Sequence, residues 1–422
     1  MIKKSEYTKN IITLLSGNTI AQALPIAVSP ILTRLYTPDD FGVIGLFGSI
    51  TLLLGSIASA QYNAAISLPK KDEDAYVVAS ISLLISLIFS SLLLLIIIIF
   101  HDQIIDLLGS KELSIWLYLI PFVVFLIALF NVLTYLHIRD KKFKSLSVSN
   151  VYKSLSASFL QILIGILKNG VFGLVIGQII SIIIADLYLL KNFQVRKFNF
   201  FTIKHIAIAK RYKEFPIYYL PNNLLYNLTN TLITILISSF FGIAALGFYN
   251  MANRVLGLPS ALLGNAISQV YLQKASEDRH NNDDIAPIFK ETLLKLIIIS
   301  LPIFILFYFY LEDVFILVFG KEWAIAGHYA EILTPLFFIR FLRGSLNTTI
   351  IVLEKQKIGL IINVMLILTT LSVFLFVYMF NIEIEQFMCL LSLILFLLNV
   401  SIIYIYYILI IKEKKIKSKD LL

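Results

Sequence analysis

The chain has 422 residues, 59% of them hydrophobic and only 14% charged, with mean hydropathy +0.87 and formal net charge +9. A soluble globular domain sits at roughly 45–50% apolar and about 25% charged, so that class is excluded. The single cysteine, Cys389, excludes a disulfide framework or a cysteine metal site, and apolar runs that are continuous rather than alternating exclude a β-barrel.

The basic start Lys3, Lys4 and Lys9 leads into an apolar stretch from Ile11 to Thr33. It is too long for a signal-peptide core and carries Pro25 and Pro30, so it reads as a first spanning helix. Further apolar runs, each long enough for about 30 Å of hydrocarbon, follow at 42–63, 76–100, 114–136, 146–167, 171–190, 217–239, 245–271, 290–311, 325–352, 358–380 and 387–410. The fold class is therefore an all-α polytopic membrane protein with about twelve transmembrane helices.

The connections between these runs form two sets. The N-terminus, 64–75, 137–145, 191–216, 272–289, 353–357 and the C-terminal tail hold most of the 35 Lys and Arg. The opposite set holds only Arg34, Lys111, Lys168 and Lys321. By the positive-inside rule the first set and both termini face the cytoplasm, so the basic charge is a topology signal and no nucleic-acid partner is expected. The longest connection, 191–216, is basic and amphipathic and can lie along an anionic leaflet or serve as a solvated linker. It divides residues 1–190, an N-terminal six-helix lobe, from residues 217–422, a C-terminal one.

A weak internal repeat supports that division. At an offset of 205, Asn18 meets Asn223, Gln22 meets Asn227, Pro25 meets Asn230, Ser29 meets Thr234 and Phe41-Gly42 meets Leu246-Gly247. Repeats with an even number of spans share one orientation, related by an axis along the membrane normal.

Polar residues inside the spans are the candidates for function. Asn18, Gln22, Pro25, Ser29 and Thr33 form one stripe of the first span. Asn223, Asn227, Asn230, Thr231 and Thr234 repeat it in the seventh, and the eighth adds Asn250 and Arg254. Such residues serve as interhelical glue or line a hydrated cavity. Arg340, Arg343 and Asn347 share one face of the tenth span, with Glu331 earlier on the same helix. An arginine at the bilayer centre costs roughly 2.5–3.5 kcal/mol on insertion scales, so three cost on the order of 8–10 kcal/mol. Two readings stand: internal ion pairs that lock helices, with Glu331 as one partner, or an anion site in which guanidinium forks grip phosphate oxygens. Lys153, Asp186 and Lys295 lie near helix ends, where snorkelling is cheap, and read as structural. Gly173 and Gly177 form a GxxxG pair that reads as helix packing.

Enzyme signatures are missing. The chain has no GxxxxGK[ST] phosphate loop, and its five His are scattered without metal-ligand spacing. No catalytic residue, metal or cofactor is expected.

The strings TRLYTPDDFGVIGLF (33–47), KRYKEFPIYYLP (210–221) and LGFYNMANRVLGLPSALLGNAISQVYLQKAS (246–276) resemble the polysaccharide-biosynthesis or O-antigen flippase (Wzx-like) family. That family belongs to the multidrug/oligosaccharidyl-lipid/polysaccharide exporter superfamily. The resemblance implies two six-helix bundles forming a V around a central cavity. It further implies alternating-access transfer of an undecaprenyl-pyrophosphate-linked oligosaccharide from the inner to the outer leaflet of a bacterial cytoplasmic membrane. Substrate, membrane lipids, a glycan polymerase and chain-length machinery are the partners it suggests. Arg254 and the stripes match positions that such a family places beside the cavity, whereas Arg340 and Arg343 rest on the residue argument alone. A cation-coupled drug exporter of the same superfamily is the alternative; it would favour buried carboxylates over arginines. A polymerase of the same pathway would carry a large external loop, and every outside connection here is short.

Overall fold

The computed structural model describes residues 4–167, 170–191, 204–280 and 284–420. Among them there is no strand, and the long helices follow the apolar runs. They are α1 (Lys4–Leu35), α2 (Pro38–Ile57), α3 (Asp72–Ile99), the short α4 (His101–Leu108), α5 (Ile120–Arg139), α6 (Phe143–Ile166) and α7 (Val171–Lys191). Then come α8 (Lys204–Arg211), α9 (Leu220–Phe241), α10 (Ile243–Leu256), α11 (Asn265–His280), α12 (Ala286–Phe319), α13 (Ala324–Leu346), α14 (Gln356–Phe380) and α15 (Ile384–Asp420).

Among the described residues nine helices are long and apolar enough to cross a membrane, and α10 with α11 makes a tenth, bent by 42°. The remaining two expected spans are α1 and α6, full-length helices of 32 and 24 residues whose polar stripes lower their hydropathy. Several ends differ from the apolar runs. The second span stops at Ile57, where the chain turns through Gln61 at φ +61°. The fourth begins at Ile120, with Pro121 in its first turn where a missing N–H costs nothing. The run 245–271 is broken because Pro259 lacks a donor and crowds the carbonyl one turn back, so the chain passes through a wide turn at Ser260–Gly264.

Local chemistry fixes the α1–α2 corner. The Thr37 N–H donates to the Asp40 carboxylate at 2.9 Å and the Asp40 N–H donates to the Thr37 hydroxyl at 3.3 Å, with Pro38 in the first turn. This reciprocal cap stops one helix and starts the next, and it is the structural content of the TPDD string.

The chain divides into two compact units, Met1–Gly247 and Phe248–Leu422. The first unit includes α9, which the sequence places with the later helices. In it the Ser49 hydroxyl of α2 donates to Thr234 of α9 at 3.3 Å, and Ser238 of α9 donates to the Leu108 carbonyl of α4 at 2.8 Å. Residues 192–203 of the expected linker lie outside the described residues. Beyond them, α8 packs on the first unit: the Tyr62 hydroxyl donates to the Ala209 carbonyl at 3.1 Å, and Tyr212 joins the core with Val78 and Leu136. In the second unit α13 is packed around most of its circumference: Leu333, Leu336, Phe341 and Leu342 are at most 2% exposed. At helical spacing Arg340 and Arg343 fall on the same side of α13 as Leu333 and Leu336, one to two turns further along.

Candidate substrate-binding site

In the second unit the tenth span holds its arginines on a rigid platform. Arg340 is half-buried, its guanidinium lies 5.5 Å from the centre of the Phe337 ring, and it hydrogen-bonds the buried Tyr249 of α10. The phenol therefore ties α10 to α13, five residues before Arg254. Arg343 is also half-buried and interacts electrostatically with Tyr406 of α15. The Tyr406 hydroxyl donates to Asn347 Oδ1 at 2.9 Å.

Arg343 differs from an arginine locked in an ion pair. Its Nε is buried without a hydrogen-bond partner, and no carboxylate among the described residues lies within ion-pair distance. Desolvating a guanidinium N–H without a partner costs about 1–3 kcal/mol or more. Glu331, the expected partner for an arginine, is occupied elsewhere: its carboxylate accepts the Glu312 backbone N–H at 3.0 Å. The ion-pair reading loses the one acid that the sequence offered on this helix. Arg254 and Asn250, both half-buried, complete the second unit's candidates on α10.

The first unit's candidates sort differently. Asn18 accepts a hydrogen bond from Asn150 of α6 at 2.8 Å. Beside it the Ser154 hydroxyl donates to the Ala21 carbonyl at 2.8 Å, and a Cβ on Gly17 would stand 1.7 Å from Ser147 Oγ. Asn18 thus glues α1 to α6, while Gln22 on the same helix is exposed. On α9, Asn227 donates to Asn223 and, at 3.3 Å, to the Ser56 hydroxyl of α2; Asn230 is exposed. Each stripe therefore contains both packed and open residues. Gly173 and Gly177 do pack: a Cβ would stand 2.1 Å from the Tyr36 hydroxyl and 2.8 Å from Gln161, respectively. Tyr249, Tyr406 and Asn150 position candidate residues but were not singled out in the sequence. Tyr249 has a signal, since it immediately precedes Asn250 in FYNMANR; Tyr406 and Asn150 have none.

An all-helical, multiply spanning scaffold with cationic and amide groups inside its helical units defines the class of polytopic helical membrane proteins. Residues 31–326 match the family described as "Polysaccharide biosynthesis protein", and the chain belongs to that family. A curated relative, the "Succinoglycan biosynthesis transport protein ExoT" of Rhizobium meliloti (strain 1021), is 21% identical over 355 residues, 81% of this chain and 70% of that protein. Among solved structures, the chain resembles "Lipid II flippase MurJ, inward closed conformation" with a TM-score of 0.73 at 18% identity, covering 95% of this chain and 87% of that one. It also resembles "Crystal structure of MATE in the bent conformation" at TM-score 0.63 and 15% identity, covering 98% and 96%. The structural likenesses establish the fold. The family sets the chain in polysaccharide biosynthesis, in common with the curated transport protein it resembles.

Proposed function

We propose that the chain is a flippase for an undecaprenyl-pyrophosphate-linked oligosaccharide, an O-antigen, capsular or exopolysaccharide repeat unit. It acts in the bacterial inner membrane from the inner to the outer leaflet by alternating access. The observation that carries this reading is Arg343, a half-buried guanidinium with an unpartnered N–H, on the same helix face as Arg340 and Asn347. A pyrophosphate brings at least two negative charges and oxygens that accept paired guanidinium hydrogen bonds, which offsets the cost of keeping such groups in a membrane. Arg254, Arg340 and Arg343 grip the pyrophosphate in this reading. Asn250 and Asn347 of the same unit serve the sugar's hydroxyls in this reading. The lipid tail stays in the bilayer. A cationic drug, by contrast, would be repelled by the same three charges.

The test is transfer of a fluorescent lipid-linked oligosaccharide in proteoliposomes containing the purified chain. Arg254→Ala should reduce transfer more than Arg254→Lys, because lysine keeps the charge and loses the fork. If the triple alanine variant of Arg254, Arg340 and Arg343 inserts normally and transfers the glycan at the parental rate, the mechanism is wrong.

A further inference from the structure

The second unit contains a pocket whose lining includes none of the three arginines. It lies between α11 and the first half of α12 and has a volume of about 270 Å³. Ile267, Val270 and Lys274 come from α11, and Glu291, Lys295 and Ile299 from α12. Its floor is rigid: Tyr271 is 2% exposed and its hydroxyl lies 2.9 Å from that of Thr349.

Two features of the pocket point to a ligand. The first is charge. Lys295 pairs with Glu291 at 2.6 Å, and Lys274 on the facing helix interacts electrostatically with the same carboxylate. Two ammonium groups thus share one acid, leaving one net positive charge on exposed side chains beside otherwise apolar walls. The second is what surrounds it. Val270, Leu294, Ile298 and Ile299 are all about half or more exposed. On helices that cross a bilayer, such side chains face acyl chains. A lone excess ammonium beside lipid tails is compensated by a monoanion whose own tails are apolar. Basic pockets between transmembrane helices recognise anionic head groups on this principle. The pocket adjoins the 272–289 connection, one of the basic set assigned to the cytoplasmic side, where lysines reach the head-group level.

We propose that this pocket binds an anionic glycerophospholipid. Its phosphodiester sits between Lys274 and Lys295, and one acyl chain lies along Val270 and Ile299. Lys295, read from the sequence as merely structural, becomes half of a lipid clamp, with Glu291 holding it in position. The proposal requires only that the chain spans a bilayer and is independent of what the chain transports.

Native mass spectrometry of the purified full chain, titrated with phosphatidylglycerol or phosphatidylcholine, tests it. The first phosphatidylglycerol should bind at least fivefold more tightly than phosphatidylcholine. Lys274→Gln and Lys295→Gln should each weaken it by roughly fivefold, equivalent to about 1 kcal/mol per lysine. Glu291→Gln should strengthen it, because it removes the competing anion. Val270→Trp should fill the groove and weaken binding with every charge intact; an unchanged melting temperature certifies that variant's fold. Equal affinity for the two lipids, or indifference to both lysine variants, would overturn the proposal. So would a polyprenyl pyrophosphate that displaces phosphatidylglycerol and loses its own binding in Lys274→Gln, since the pocket would then belong to the substrate. These affinities should be identical in the Arg343→Ala variant, which separates this result from any failure of the flippase reading.

Discussion

A charge that is buried and pairs with an acid cannot be removed without stranding its partner, whereas one that lacks an acid can. Arg343 is of the second kind, with a buried Nε and no carboxylate in reach among the described residues. Replacing it with Met, which has similar length and no charge, should therefore leave thermal stability unchanged or slightly raised. Transfer of the lipid-linked glycan should fall at least tenfold, the equivalent of one charge-assisted hydrogen bond worth about 1.5–3 kcal/mol. A drop in stability equal to the drop in transfer would instead make Arg343 a structural lock. Tyr249→Phe is the complementary change: it takes a buried hydroxyl from Arg340 and should cost about 1 kcal/mol, read as a lowered melting temperature of the purified protein. At this scale the sequence is legible in type and illegible in partner. Helical spacing puts Asn18 and Gln22 on one stripe, yet only the fold reveals that Asn18 meets Asn150 while Gln22 stays open. Glu331 likewise reads as an arginine's counter-ion from its place on α13, and it turns instead to the backbone of α12, which no spacing rule anticipates.

Helix crossings carry more of the sequence's information than single side chains do. The weak repeat at an offset of 205 aligns Phe41-Gly42 with Leu246-Gly247, and within the first unit these glycines belong to one contact. A Cβ on Gly42 would stand 2.1 Å from the Ile243 carbonyl oxygen; a Cβ on Gly247 would stand 1.8 Å from that of Pro38. Pro38 and Ile243 are themselves related by the same offset, so the start of α2 and the start of α10 meet reciprocally, each glycine against the other helix's first turn. Small residues let helix backbones approach in membranes, where no hydrophobic driving force between helices exists. Gly247→Ala should accordingly push the backbones apart and cost about 1–3 kcal/mol, measured as a fall in melting temperature; an unchanged value would show that the crossing relaxes freely. The sequence exposes the repeat through its glycines, but contact between them depends on the α1–α2 corner that Thr37 and Asp40 cap. The polar helices α1 and α6 are the reverse case: their hydropathy is weak as isolated spans because Ser147, Asn150 and Ser154 are spent on each other's helix.

For the whole chain, the number of crossings decides which ends face which side, and one element controls that count. The run 245–271 reads from composition as one span, and the fold breaks it at Gly257 and Pro259 into α10 and α11 with a 42° bend. If the bent pair crosses the membrane, three crossings separate α8 from the turn at Gly320–Trp323: α9, the α10–α11 pair and α12. If the pair re-enters, only two do, and the two places share a side. Twelve spans and the positive-inside rule favour a crossing, because Lys210, Arg211 and Lys213 then lie in the basic set with Lys274 and Arg279, while Lys321 lies opposite. Cysteine labelling reads this directly. Cys389 is exposed, so it is first replaced by Ser; single cysteines are then placed at Lys210 and Lys321. In sealed cells a membrane-impermeant maleimide should label the Lys321 position at once and the Lys210 position only after permeabilisation. Labelling of both from the same side would make the bent pair re-entrant, and it would move every later helix, including the arginine face of α13, to the opposite orientation.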